Sequence, residues 1–396
     1  MLYALGRLLL ELVPKAKITV STSNPEMYEE YPYFRENGMD FVPSAWDYQR
    51  VDERKWYWNL LDKFHKYSFT ILREAYLRNT CKWVARFYIN PHFYKAVNTA
   101  DIIISVGGHH YCTLLSRDIV SSINFDAMAV KLLGKSFTCF SQTFGPFDFF
   151  NDRNRKLTYK LLSTSELYAR EEDSEKALKD FMIPDSVIHR THETVLSLNG
   201  LFNSYIKPSD RVKRIGISIY CTQKRSKKEE DNYYNSISEF CNYAVCLGYE
   251  IVFFPMEIKG TPPDDRSYIQ AIINRIHEKQ YCRVIDNDLE TFIHLEEVSK
   301  CQLYLGHKTH STIFALATGT PLIAIAYHQK TIEFMKQFGL GKYALKETEL
   351  TPSSIVTLLD LLLKDIDEVG QRSFEKSRRY ASEIKNDLLN VLKLNI

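Results

Sequence analysis

CQLYLGHKTHSTIFALATGTPLIAIAY, residues Cys301–Tyr327, is the stretch whose reading decides the fold. Its two apolar runs, Gln302–Leu305 and Pro321–Tyr327, have no polar face, as expected of strands covered on both sides of a parallel sheet. Between them the pattern predicts a loop opening at Gly306, a helix over Ser311–Thr318 and a stop at Gly319. In such a unit the loop lies at the carboxyl edge of the sheet, where open α/β sheets bind ligands. His307, Lys308 and His310 fall in this loop, and Ser311 is placed as the N-cap, so cationic and proton-carrying groups meet a helix amino end. That combination attracts anions.

The alternation continues on both sides. Upstream, Ala100–Val106 reads as a buried strand ending in Gly107-Gly108, followed by a helix over Arg117–Leu133 and a strand over Ser136–Gln142. The loop Thr143–Phe147 contains Gly145, and a strand over Leu167–Arg170 carries Arg170-Glu171 to its carboxyl end. Gly107, Gly108, Gln142, Gly145, Arg170 and Glu171 are the candidates to line the acceptor side of a cleft, with a tight turn or a structural ion pair as the plainer readings. Asn199–Arg214 reads as the interdomain linker. The second half resumes with a strand over Ile215–Tyr220, a basic loop Thr222–Lys228 and further strand and helix pairs. The expected architecture is α/β, two doubly wound Rossmann-like domains facing a cleft. Their expected bounds are residues 1–205 and 206–350, with helices over 351–396 packing across both. The chain opens on a helix at Leu2–Leu12, where a βα unit would open on a strand, so the first strand of the amino-terminal domain is expected to be missing.

At 396 residues, 45% hydrophobic and 25% charged, the chain has the size and composition of a two-domain globular protein. A net charge of +2 gives no electrostatic signature of a nucleic-acid partner. No run long enough to span a bilayer occurs, and the amino terminus lacks a signal-peptide pattern, so the expected location is the cytoplasm. The eight cysteines form no CxxC pair, which argues for free thiols over zinc. All four tryptophans fall within 46–95, among many Tyr and Phe and an excess of Lys and Arg. That stretch reads as an inserted helical flap whose aromatics form a local core, or as an element for peripheral contact with the inner face of the cell membrane.

Four blocks carry a family resemblance: the VGG turn at Val106–Gly108, SQTFGPF at Ser141–Phe147, YARE at Tyr168–Glu171 with Ser174, and the long block from Gly306 to Gly339. Together they resemble the polysaccharide pyruvyl transferases. The resemblance implies a two-domain fold like that of GT-B glycosyltransferases and transfer of the enolpyruvyl carbons of phosphoenolpyruvate onto two sugar hydroxyls as a cyclic ketal. It implies no metal or nucleotide cofactor for the donor. The sequence departs from the family pattern in three places: Lys308 stands where Arg is usual, Arg190–Glu193 replaces a usual Asp, and the first strand with its turn is not seen.

The chemistry suits the residues. Phosphoenolpyruvate presents a carboxylate and a phosphate, which call for fixed cations and oriented amides. Lys308, Thr309, Ser311, Lys224, Arg225, Tyr327 and Lys330 are the donor-side candidates, and His310, titrating near neutrality, is the candidate proton donor, with Lys308 as its charged companion. His307 and His328 read as structural. Two alternatives stay open: a GT-B glycosyltransferase using a sugar nucleotide, and a non-catalytic component of a polysaccharide assembly complex. The acceptor is a sugar, with lipid linkage open.

Overall fold

The computed structural model describes residues 1–47, 65–79, 86–113, 122–222, 225–258, 264–285, 290–327 and 329–394. The chain divides into two compact units, Met1–Thr194 with Glu383–Ile396, and Val195–Ser382. This boundary lies upstream of the expected linker. The reason is local: Val195, Leu196 and Leu198 are buried, and the Asn199 side chain donates to the Ala317 carbonyl at 2.8 Å, which commits these residues to the second unit. The expected separate tail is also divided: helix Pro352–Lys364 belongs to the second unit, and helix Ile366–Leu394 contributes residues to each.

The first unit holds two parallel sheets. β1 (Thr19–Thr22) pairs with β2 (Asp40–Pro43), and β3 (Ile104–Ser105), β4 (Thr138–Gln142), β5 (Glu166–Ala169) and β6 (Ile188–Arg190) pair in that order. Among the described residues no strand joins β1 to β3. β2 was not visible in the sequence pattern. β3 is much shorter than the apolar run Ala100–Val106 suggested, and the run is only partly buried, not the buried strand expected. The described parts of the aromatic stretch divide: helices His65–Leu77 and Pro91–Thr99 place Leu72, Tyr76, Phe93 and Val97 in the core with helix Ser122–Leu132, and Trp46 packs against it, while Tyr67, Ile71 and Phe87 are exposed. Trp56, Trp58 and Trp83 lie outside the described residues.

The second unit holds one six-stranded parallel sheet. Its strands are β7 (Val212–Ile217), β8 (Glu250–Phe253), β9 (Cys282–Val284), β10 (Cys301–Gly306), β11 (Leu322–Ala326) and β12 (Ala344–Lys346), in the order β12-β11-β10-β7-β8-β9. Chain order therefore reverses at the β7–β10 junction, the switch point at which doubly wound sheets open a ligand site. β11 is buried throughout and β10 nearly so, as the run of apolar residues requires. The helix between them, Thr309–Thr318, ends at Gly319, whose φ of 64° is left-handed and whose Cβ would lie 2.6 Å from Phe374 Cβ. Arg211 closes this helix from below, donating to the Thr318 and Gly319 carbonyls at 3.3 and 3.0 Å, so a cation sits at the negative end of the helix.

Core titration sets an acid limit. His294, on helix Thr291–Lys300, packs against Phe254 and Phe314, and burial lowers its pKa to about 4 from the ordinary 6.5. The unfolded chain therefore takes up this proton below 6.5 while the folded chain resists until about 4, so stability is full above 6.5 and falls through that window. The loss is on the order of 3 kcal/mol by pH 4. Melting temperatures across this range should decline in the wild type, and His294→Phe should flatten the profile. An unchanged slope in the variant would refute the assignment.

Candidate functional site

The site is built at the carboxyl ends of β7 and β10. After β10 the chain passes through His307 and Lys308 into helix Thr309–Thr318, whose N-cap is Lys308. The expected start at Ser311 is corrected by two residues. Ser311 is fully buried inside the first turn, where its hydroxyl donates to the Lys308 carbonyl at 2.7 Å and meets the Ser218 hydroxyl after β7. A cap must face its own orphan amides from outside the helix, and Ser311 is already in it. Gly306 is demanded by the same junction: a Cβ there would lie 2.7 Å from Thr312 Oγ1.

Lys308 is not presented as an open charge. Its Nζ donates to both oxygens of Asp265 at 2.9 and 2.8 Å and reaches Glu257 at 3.0 Å. Asp265 is 0% exposed and also accepts from the amides of Met256 and Glu257 at 2.8 and 2.9 Å. Lys308 thus ties the loop after β8 to the helix cap. A carboxylate so buried requires a cation, and no local pattern in the sequence joins Lys308 to a partner 43 positions earlier.

The cation of this edge is Arg225, with its side chain 6% exposed. It donates through Nε to Glu347 at 2.5 Å and through Nη1 to the Tyr220 carbonyl at 2.8 Å, and lies 4.0 Å above the ring of Tyr233. Its Nη2 is buried and has no hydrogen-bond partner among the described residues. His307, fully buried, bonds Tyr233 Oη at 2.9 Å and Glu347 at 3.2 Å. Burial lowers the His307 pKa and outweighs the opposing pull of Glu347, which favours the neutral ring. Burial alone would raise Glu347, but hydrogen bonds from His307 and Arg225 hold its carboxyl at about 2. Tyr220 and Tyr327 stack at 4.0 Å beside His307, with Tyr327 40% exposed.

His310 is exposed in the first turn of the helix. Thr309 shares a hydroxyl hydrogen bond with Thr331 at 3.1 Å, and Lys330 is half-buried on the following helix, Gln329–Gln337. Lys224 and His328 lie outside the described residues. Sequence reasoning missed Glu347, Asp265 and Glu257. Glu347 is 40 positions beyond its histidine partner, which no local pattern reveals. The capping box of Ser226 and Glu229, which starts helix Lys227–Cys246 and so fixes the Arg225 loop, was legible as Ser-x-x-Glu.

The first unit's candidates form a closed network. Arg170 donates to Thr143 at 3.0 Å and Glu171 at 2.8 Å and pairs with Glu193, while Glu171 accepts from Thr143 and Ser174. All five are buried, and Ser174 in turn takes the Phe144 amide at 3.0 Å. Arg170 and Glu171 thus form a buried ion pair, the geometry of the plainer sequence reading. Gln142 donates to the Val106 carbonyl at 2.6 Å. Gly107 leaves room for the Ser141 carbonyl, 2.4 Å from where a Cβ would stand, and Gly108 for the ring of His110. Gly145, at φ 70°, packs on Ala177. The described residues contain no group of three or more His, Cys, Asp or Glu arranged for a metal, and no described helix is long and apolar enough to cross a membrane.

A family model described as polysaccharide pyruvyl transferase matches residues 1–329. The chain is 29% identical over 174 residues to the amylovoran biosynthesis protein AmsJ of Erwinia amylovora, an alignment that covers 42% of this chain and 41% of that relative. In fold it is similar to a UDP-GlcNAc 2-epimerase of Neisseria meningitidis bound to UDP-GlcNAc, at 14% identity and TM-score 0.57 over 98% of this chain and 95% of the other. It is likewise similar to Anabaena Alr3699/HepE in complex with UDP, at 9% identity and TM-score 0.57 over 99% and 95%. At these identities the structures show a shared GT-B-like, two-unit α/β fold.

Proposed function

Since this chain belongs to the polysaccharide pyruvyl transferase family, we propose that it moves the pyruvyl carbons of phosphoenolpyruvate onto a sugar of a surface or exopolysaccharide precursor. The product is a cyclic ketal. The observation that carries the donor reading is Arg225: a buried guanidinium at the switch point of the sheet, with one nitrogen unbonded among the described residues, calls for an anionic oxygen. The first-turn amides at Thr309, His310 and Ser311 add oriented donors at the positive end of the helix. One sugar hydroxyl adds to the central carbon of the donor as His310 delivers a proton to its methylene, making a methyl group. The second hydroxyl then displaces phosphate, closing the ketal and releasing inorganic phosphate.

Tyr327, Lys330 and Thr309 line the donor side in this reading, and Lys308 holds the loop that carries His310. The first unit takes the acceptor near Gly107, Gly108, Gln142 and Gly145, with Arg170 and Glu171 as the rigid base beneath. A lipid-linked acceptor at the inner face of the membrane suits a polysaccharide precursor.

The test is thermal stabilisation by phosphoenolpyruvate against a panel of sugar nucleotides, followed by phosphate release with acceptor. A donor at a hundredfold excess over its Kd should raise the melting temperature by roughly 5–10 °C. Stabilisation by a sugar nucleotide and not by phosphoenolpyruvate would overturn the proposal in favour of glycosyl transfer. Stabilisation by neither would favour a non-catalytic role.

A further inference from the structure

We infer that Glu347 is the positioning residue of the donor's anion subsite, fixing the Arg225 guanidinium and the His307 ring so that Arg225 Nη2 is presented to an anionic oxygen. The inference rests on the donor reading above. Glu347 lies on the short turn Glu347–Glu349 after the edge strand β12, and its two oxygens are divided between two partners. Oε1 takes Arg225 Nε at 2.5 Å and Oε2 faces His307 Nε2 at 3.2 Å.

The hydrogens follow from chemistry. An ionised carboxylate only accepts, so His307 carries its proton on Nε2. Nδ1 is then an acceptor and takes the Tyr233 hydroxyl at 2.9 Å, while the Tyr233 oxygen accepts the Tyr220 amide at 3.3 Å. The Tyr220 carbonyl receives Arg225 Nη1 at 2.8 Å, and one face of the guanidinium rests on the Tyr233 ring. The guanidinium is fixed on every side except Nη2, which is buried without a partner among the described residues. A buried, unbonded guanidinium N–H is costly, and phosphate or carboxylate is the acceptor its planar fork suits. Lys308 does not compete for that anion, because Asp265 and Glu257 occupy it. The Glu347 charge offsets one cation, so its contribution is orientation, not attraction.

Glu347→Ala and Glu347→Gln in the full chain test this, with two readouts: rate against phosphoenolpyruvate concentration, and calorimetric titration with inorganic phosphate. Glu347→Ala should raise the donor's KM and the phosphate Kd at least about tenfold, with kcat within about threefold of wild type. Glu347→Gln keeps an amide oxygen for Arg225 Nε and should recover most of the loss, and it remains decisive if the alanine variant does not fold. Wild-type values in Glu347→Ala, or a Glu347→Gln loss as large as alanine's, would overturn the positioning role. A wild type that binds phosphate in a Glu347-dependent way, yet never releases it from phosphoenolpyruvate, supports the positioning role and removes the donor reading instead.

Discussion

Lys308→Ala is expected to destabilise the second unit by about 3–5 kcal/mol, the cost of leaving a buried carboxylate without its cation. Asp265 is the carboxylate stranded. It is 0% exposed, its remaining partners, two backbone amides and the Cys221 side chain, carry no charge, and Glu257 loses its contact in the same substitution. For a unit of this size the shift in melting temperature is roughly 6–20 °C. Asp265→Asn in the Lys308→Ala background should recover a large part of the loss, since an amide needs no counter-ion while its oxygen still meets the Met256 and Glu257 amides. Lys308→Arg should stay near wild-type stability, because a guanidinium can bond both Asp265 oxygens. Calorimetry on these proteins and on Asp265→Asn alone measures the coupling directly. If Lys308→Ala melts like wild type and instead raises the donor's KM, Lys308 contacts the anion itself, as the sequence pattern suggested.

His310→Ala is expected to lower turnover by about a hundredfold or more if the ring delivers the proton to the donor's methylene carbon. The side chain is exposed at the start of helix Thr309–Thr318, so its removal leaves no cavity and the melting temperature should hold. The donor's KM should change little, because the proposed function assigns the anion to Arg225 and the helix amides. The assay is phosphate release at saturating donor with acceptor present. Turnover at the wild-type level in a folded His310→Ala protein would remove the ring from the mechanism. The two substitutions, two positions apart, thus separate cleanly: one acts on folding and the other on rate.

The sequence by itself determined the α/β class, the paired strands of Cys301–Tyr327 and the loop where the site would lie. These were legible because burial on both faces of a parallel strand, and the glycine that ends a helix, are local demands written in adjacent residues. The family resemblance was equally local, carried by four short blocks of which the one from Gly306 to Gly339 is the most specific. The tertiary structure decided what each charged residue pairs with. Lys308, read from the sequence as an anion contact, meets Asp265, 43 positions earlier, and Arg170 and Glu171, read as lining a cleft or as a structural ion pair, are enclosed with Glu193, Thr143 and Ser174. Arg225, a donor-side candidate from the sequence, takes its carboxylate partner Glu347 from the far end of the sheet. The physical reason is that a charge's role depends on which opposite charge desolvates beside it, and in a parallel sheet those partners arrive from strands that are neighbours in space and distant in the chain.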